Sequence, residues 1–446
     1  MIGAGRHNGS DRRAGGPRPG DHAAGETTGR YVVVLAEPEE DPRSLLEDVG
    51  LPEVLDSRDF GEEVPDVSRT GAADAVYLAR LGILVVSGEP DQVSRLETAS
   101  TDRGAVLSVS PELVHHVMDA GSADYLRGYR DGVGDLVSRL EGAGTAGAVT
   151  AAGSAAAGPP YFQDTERFTW GLQATQVTSS PYTGLGIRVA VLDTGFDSTH
   201  PDFADRTVTT RSFVPGESAQ DGHGHGTHCI GTACGPKEPS SGRRYGVAHQ
   251  AEVFAGKVLG DEGSGSDAGI LAGIDWALGH GCAVISMSLG ADVPEVHPPY
   301  TIAGRRALNR GTLIIAAAGN NADRVNGEPG FVGAPANSPY IMAVGALNQQ
   351  LDTAFFSART LPGSGGQVDV AGPGFQVYSS WTMPTRYRTI SGTSMATPHA
   401  AGVAALLAEA TGYRGRELWS EMVQESQRLL EPSVDVGSGL IVARSR

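Results

Sequence analysis

From about residue 160 onward, five short apolar runs recur among Gly-rich turns: IRVAVLD (187–193), AEVFAGKVL (251–259), AVISMSLG (283–290), TLIIAAAG (312–319) and YIMAVGAL (340–347). None has the polar alternation of a strand with one wet face, so each suits a strand covered on both sides. Helical stretches lie between them, such as SDAGILAGIDWALGHG (266–281). Repeated strand–helix alternation predicts an α/β domain with a mostly parallel sheet. In such sheets, sites gather at the carboxyl ends of the strands. The chain has 446 residues, which suggests two or three folded units, and 62 glycines, which suggest many tight turns.

The first part of the chain reads differently. Residues 1–30 are Gly-rich, polar and charged, the composition of a disordered tail. Structure is expected to begin at Tyr31, where YVVVL (31–35) reads as a strand. Asp41-Pro42 opens a short helix, RSLLEDV (43–49). LGILVV (81–86) reads as a second strand, and Glu89-Pro90-Asp91 starts a helix with Val93, Leu96 and Ala99 on one face. AVLSVSPELVHHVM (105–118) reads as extended chain. The order strand, helix, strand, helix, strand suggests a small α+β unit over 31–118. In residues 119–160, 124–141 read as an amphipathic helix and 142–159, GAGTAGAVTAAGSAAAGP, as an Ala/Gly-rich linker. Residues 161–446 then form the large domain.

Composition excludes some partners. The net charge is −18, from 34 basic and 52 acidic residues, and no basic run is interleaved with aromatics, so nucleic acid is excluded. No apolar run reaches the roughly 18 residues that cross a bilayer, so no membrane partner is expected. Three cysteines, Cys229, Cys234 and Cys282, do not make a disulfide framework, although one bridge stays open. The first thirty residues lack the apolar centre of a secretory signal. Retention in the cytoplasm, export by another route and a start further upstream all remain open.

Four residues fall where the predicted sheet would place a site. Asp193 closes a strand, and His225 lies between glycines in DGHGHGTHCIGTACG (221–235). Ser394 stands at the start of a predicted helix in SGTSMATPHAAGVAALLAEA (391–410), with Pro398 near the first turn. Asn320 ends the run TLIIAAAGN. Each alone has a plainer reading, respectively a turn Asp, a structural His, an N-cap Ser and a turn Asn. Together they supply a carboxylate, a base, a nucleophile beside free helix N–H groups, and an oxyanion donor. Two other readings compete. His223, His225 and His228 could ligate a metal, although no Glu stands where a zinc-protease helix would place its base. A third reading is an inactive binding protein that keeps the fold.

The blocks DTGFDSTHPDF (193–203), HGTHCIGT (225–232), AAAGNN (316–321) and GTSMATPHAAG (392–402) resemble the signatures of subtilisin-like serine proteases, and the order Asp, His, Ser is the order of subtilisin. The resemblance covers about 165–445. It implies a three-layer α/β peptidase domain preceded by a ferredoxin-like α+β propeptide that acts as an intramolecular inhibitor. It implies a monomeric, secreted endopeptidase acting on peptides or proteins through an acyl-enzyme, with no cofactor for catalysis. In it, Ser394 attacks, His225 moves the proton, Asp193 holds the imidazole, and Asn320 with the Ser394 N–H holds the oxyanion. Substrate backbone would pair with Gly263, Ser264 and Gly265, continuing to Ser266, and with Ser288, Leu289 and Gly290. Ala316, Ala317 and Gly319 would line the pocket for the residue before the cut. Those small walls imply broad specificity with a preference for apolar side chains. The blocks at 243–266 and 368–374, and Cys229 beside the histidine loop, are similar to the proteinase K branch. That likeness implies a structural calcium held by Asp369 and the carbonyls of Pro339 and Ile341. The linker composition places the expected propeptide cut within 142–160.

Overall fold

The computed structural model describes residues 25–37, 41–60, 74–102, 105–118, 161–361 and 366–444. The strands are β1 (Thr27–Leu35), β2 (Val54–Asp56), β3 (Ala75–Leu78), β4 (Ile83–Val86), β5 (Val106–Val117), β6 (Arg188–Asp193), β7 (Val208–Ser212), β8 (Glu252–Lys257), β9 (Ser264–Ser266), β10 (Val284–Met287), β11 (Leu289–Gly290), β12 (Leu313–Ala317), β13 (Met342–Leu347), β14 (Val370–Pro373), β15 (Val377–Ser380) and β16 (Tyr387–Ile390). The helices that position the site are α1 (Arg43–Val49), α2 (Pro90–Asp102), α3 (His225–Cys234), α4 (Asp267–Gly279), α5 (Pro298–Asn309), α6 (Thr393–Thr411) and α7 (Gly415–Glu425).

The large unit is built on seven strands in the order β14-β13-β12-β10-β6-β8-β7, every neighbouring pair parallel. The runs without polar alternation are buried on both faces for this reason. Along β6, Val189 and Val191 pack on the α3 and α6 side with Ile230, Val403 and Leu407. Ala190 and Leu192 pack on the other side with Ile270, Ile274 and Ala303 of α4 and α5.

The small unit has the order β5-β1-β4-β3-β2, antiparallel except for the β2–β3 pair. Helices α1 and α2 cover one face, where Val33 and Leu35 meet Leu46 and Leu96. The alternate residues Val32 and Val34 join the α4–α5 core of the large unit. The period-two pattern of one strand thus fastens the two units together.

Several expectations change. The first strand starts at Thr27, four residues before Tyr31, because Arg30 reaches the fully buried carboxylate of Glu112 (Nε–Oε2 2.7 Å) and ties the strand's start to β5. Strands β2 and β3 were not expected. The first is only three residues long, and the second is buried throughout and joined to β4 by a turn at Ala79–Gly82. Leu81 and Gly82 belong to that turn, with Gly82 at φ +55°, so β4 opens at Ile83. The expected helix at 124–141, the linker at 142–159 and most of the N-terminal tail lie outside the described residues. No helix among the described residues is long and apolar enough to cross a membrane.

Candidate active site

Asp193 ends β6 and His225 opens α3, and both side chains are buried. The approach between them is close: a Cβ on Gly226 would lie 2.3 Å from the Gly195 carbonyl. His225 Nδ1 lies 2.7 Å from Asp193 Oδ1, which also accepts the Thr194 N–H at 2.8 Å. Burial pulls the His225 pKa down, but the Asp193 carboxylate outweighs it and holds the imidazole well above its ordinary value. Its Nε2 is buried without a hydrogen-bond partner. Cys229 lies one turn on, its Sγ 3.8 Å from His225 Nδ1, and burial pushes the thiol up to about 11, so it is a neutral neighbour.

Ser394 is the second residue of α6 and is fully buried. Its hydroxyl donates to the Ser288 carbonyl at 3.0 Å, not to His225. Pro398 lies in the second turn of α6, not the first. Its missing N–H leaves the Ser394 carbonyl without a helical donor, and the Ser288 hydroxyl (2.8 Å) and the Cys229 thiol (3.6 Å) supply one. The proline thereby binds the nucleophile's backbone to the strand beside it.

Asn320 follows β12. Its Oδ1 accepts both the N–H and the hydroxyl of Thr393 at 2.9 Å, which fixes the direction of the amide. Its Nδ2 donates to the carbonyl of Met118 at 2.7 Å, and the Ser394 N–H points to the same oxygen at 3.4 Å. Met118 directly follows β5, which lies between β9 and β11 of the large unit. Val114, His115 and His116 pair antiparallel with Ser266, Gly265 and Ser264, while His116 and Val117 pair with Gly290 and Leu289. The Val117 N–H donates to the Gly263 carbonyl at 3.0 Å and the Met118 N–H to that of Ser288 at 3.4 Å. The Met118 side chain lies over Gly290, where a Cβ would come within 2.5 Å of its Cε. Ala316 and Ala317 are buried at the carboxyl end of β12, and Gly319 follows at φ +121°.

The three histidines of the metal reading do not converge. His228 is turned to the Val377 carbonyl (3.1 Å), and burial lowers it to about 3. Among the described residues, the group with ligand atoms close enough to share an ion is Asp193, His225 and Cys229. Asp369 accepts the Ala343 N–H at 2.8 Å and Gln367 at 3.1 Å. Burial without a cationic partner raises it to about 7, and Pro339 and Ile341 stand just before β13, next to Ala343. A buried carboxylate with no cationic partner is the kind of ligand a hard cation takes. All three cysteines are buried and unbridged.

The sequence reading missed Met118 and the residues around His115: Asp267, His297 and Tyr300. Only the pairing of β5 with the large unit reveals them, because nothing near them in the chain shares their motif.

Residues 184–433 match the subtilase family. The protein is 43% identical over 242 residues to M-protease of Shouchella clausii (strain KSM-K16), across 53% of this chain and 59% of that protein. It is 42% identical over 242 residues to Subtilisin Savinase of Lederbergia lenta, across 53% of this chain and 83% of that protein. It is 39% identical over 250 residues to Thermitase of Thermoactinomyces vulgaris, across 56% and 84%. The chain thus spans about three fifths of the length of M-protease. A match over more than half the chain, in a span that contains all four motif blocks, means that this protein belongs to the subtilase family.

Proposed function

We propose that this protein is a serine endopeptidase that first cleaves its own chain at Met118–Asp119 and then peptides or proteins with an apolar residue before the cut. The observation that carries the reading is the Met118 carbonyl, held by Asn320 Nδ2 and facing the Ser394 N–H at the end of a strand paired on both sides. That is where the oxygen of a carbonyl under attack gathers negative charge.

In the reaction the Ser394 hydroxyl turns from Ser288 to the unpartnered His225 Nε2, gives up its proton and attacks the carbonyl carbon. Asn320 and the Ser394 N–H hold the oxyanion, while Asp193 holds the imidazole tautomer and stabilises the imidazolium. His225 returns the proton to the leaving amine as the C–N bond breaks, and water hydrolyses the acyl-enzyme. Pairing through backbone with 264–266 and 289–290 supports broad specificity. The open floor at Gly290 supports an unbranched apolar side chain such as that of Met118. With its last residue lodged at Ser394, the 27–118 unit acts as an intramolecular inhibitor. The reading moves the expected cut from 142–160, which lies outside the described residues, to the bond that follows Met118. Asp369, with the carbonyls of Pro339 and Ile341, would hold a structural calcium remote from the chemistry.

A fluorophosphonate labels Ser394 in the wild type and not in Ser394→Ala, and mass spectrometry finds a wild-type product that begins at Asp119. An unlabelled, unprocessed chain under native conditions sinks the reading.

A further inference from the structure

Counting back from the Met118 carbonyl, the fourth residue is His115, and it is fully buried. Its Nε2 lies 2.7 Å from Oδ1 of Asp267, the first residue of α4. Tyr300 of α5 donates its hydroxyl to the same oxygen at 2.7 Å and sets its ring edge-on to the imidazole, centroids 5.4 Å apart. The other oxygen, Oδ2, lies 2.9 Å from His297 Nε2 and accepts the Leu113 N–H at 2.7 Å. Asp267 and Tyr300 are fully buried and His297 nearly so. Burial pulls the Asp267 pKa upward, but the bonds from His115 and His297 outweigh it and keep the carboxylate charged.

Two of the four groups around Asp267 belong to the large unit and two arrive with β5. Of those two, the Leu113 N–H is a backbone group that any peptide brings. The imidazole is supplied only by a histidine. An apolar side chain in its place would leave a buried carboxylate oxygen short of a donor, which is costly in a low-dielectric site. A site built to hydrogen-bond a substrate group discriminates against the analogue that lacks it.

We infer that Asp267, Tyr300 and His297 form a polar pocket that selects histidine as the fourth residue before the cut, in substrates as in the chain's own β5. This rests on the endopeptidase reading above and adds the substrate class: an apolar side chain next to the cut and a histidine three residues earlier. The fit is to an imidazole, because the edge of Tyr300 closes over a ring and leaves His115 with no exposed surface.

The test uses the full chain, incubated until a fluorophosphonate labels Ser394 in a withdrawn aliquot, the remainder being left unlabelled for the assay. Peptides spanning the sequence around Leu113–Met118 are offered with His, Leu, Phe or Lys at the position of His115. The histidine peptide is expected to be cut with a kcat/KM about ten- to a hundredfold above the leucine and phenylalanine peptides. In Asp267→Leu that ratio falls to about one or inverts. Each ratio is taken within one preparation, so the folded fraction cancels, and the wild-type ratio alone decides if the variant does not fold. Leucine or phenylalanine cut as well as histidine overturns the pocket while the peptidase stands. Lysine cut as well as histidine shows a general cation site and overturns selection of the imidazole. No cleavage of any peptide overturns the peptidase reading and this one with it.

Discussion

Asp193–His225 and Asp267–His115 are buried pairs with the same 2.7 Å separation and opposite designs. In Asp193–His225, both residues belong to the large unit, one carboxylate oxygen lacks a partner, and the far imidazole nitrogen is unpartnered. In Asp267–His115, the two residues come from different units, and both carboxylate oxygens are filled, by His115, Tyr300, His297 and the Leu113 N–H. An imidazole with a spare nitrogen can take up a proton. A carboxylate surrounded by donors can only hold something in place. The chemistry of the pair lies in what is left unsatisfied around it, not in its geometry.

The largest expected effect separates the pairs outright. Asp193→Asn should lower kcat by about 10⁴, the size known for the equivalent change in a serine protease triad, because the imidazole loses its tautomer. Asp267→Asn should act mainly on KM for histidine-bearing peptides, so a comparable loss of kcat there would break the distinction. Next, Asn320→Leu should lower kcat by about 10²–10³, the range measured in subtilisin itself, with KM little changed. Gly290→Ala should lower the ratio of cleavage after methionine to cleavage after alanine by about tenfold, since a Cβ would meet the methionine side chain, whereas its 2.9 Å approach to the Ala334 carbonyl burdens both substrates alike.

The pH profile sharpens the contrast further. His225 works as a base only when neutral, and Asp193 raises its pKa, so the acid limb of kcat/KM should lie above pH 6.5 for a substrate without histidine. Asp193→Asn should move that limb down. The smallest effect concerns a third carboxylate with no imidazole beside it. Asp369 binds its proton more tightly folded than unfolded, so stability should decline as pH rises from the ordinary carboxyl value of 3.8 to about 7. Calcium should restore about 3 °C of melting temperature at pH 8 in the wild type and nothing in Asp369→Asn. A calcium effect that survives the substitution places the ion elsewhere.

Much of this was readable from local pattern. The runs without polar alternation gave the parallel strands, because burial on both faces removes the polar half of the pattern. Asp193, His225, Asn320 and Ser394 were legible because each sits in a short stretch whose small residues allow a close backbone approach. The three-residue strand at Val54–Asp56 and the early start of the first strand were not. The first is too short to show a period, and the second depends on Arg30 meeting Glu112, 82 residues away.

The sequence by itself determined the large unit's architecture and the residue types gathered at its candidate site, since both are written in patterns within a few residues of each other. Tertiary structure alone decided which carbonyl faces Ser394, which way its hydroxyl turns, and that His115 meets Asp267, His297 and Tyr300. Those depend on strand pairing between segments more than a hundred residues apart, where register is set by how two surfaces bury one another.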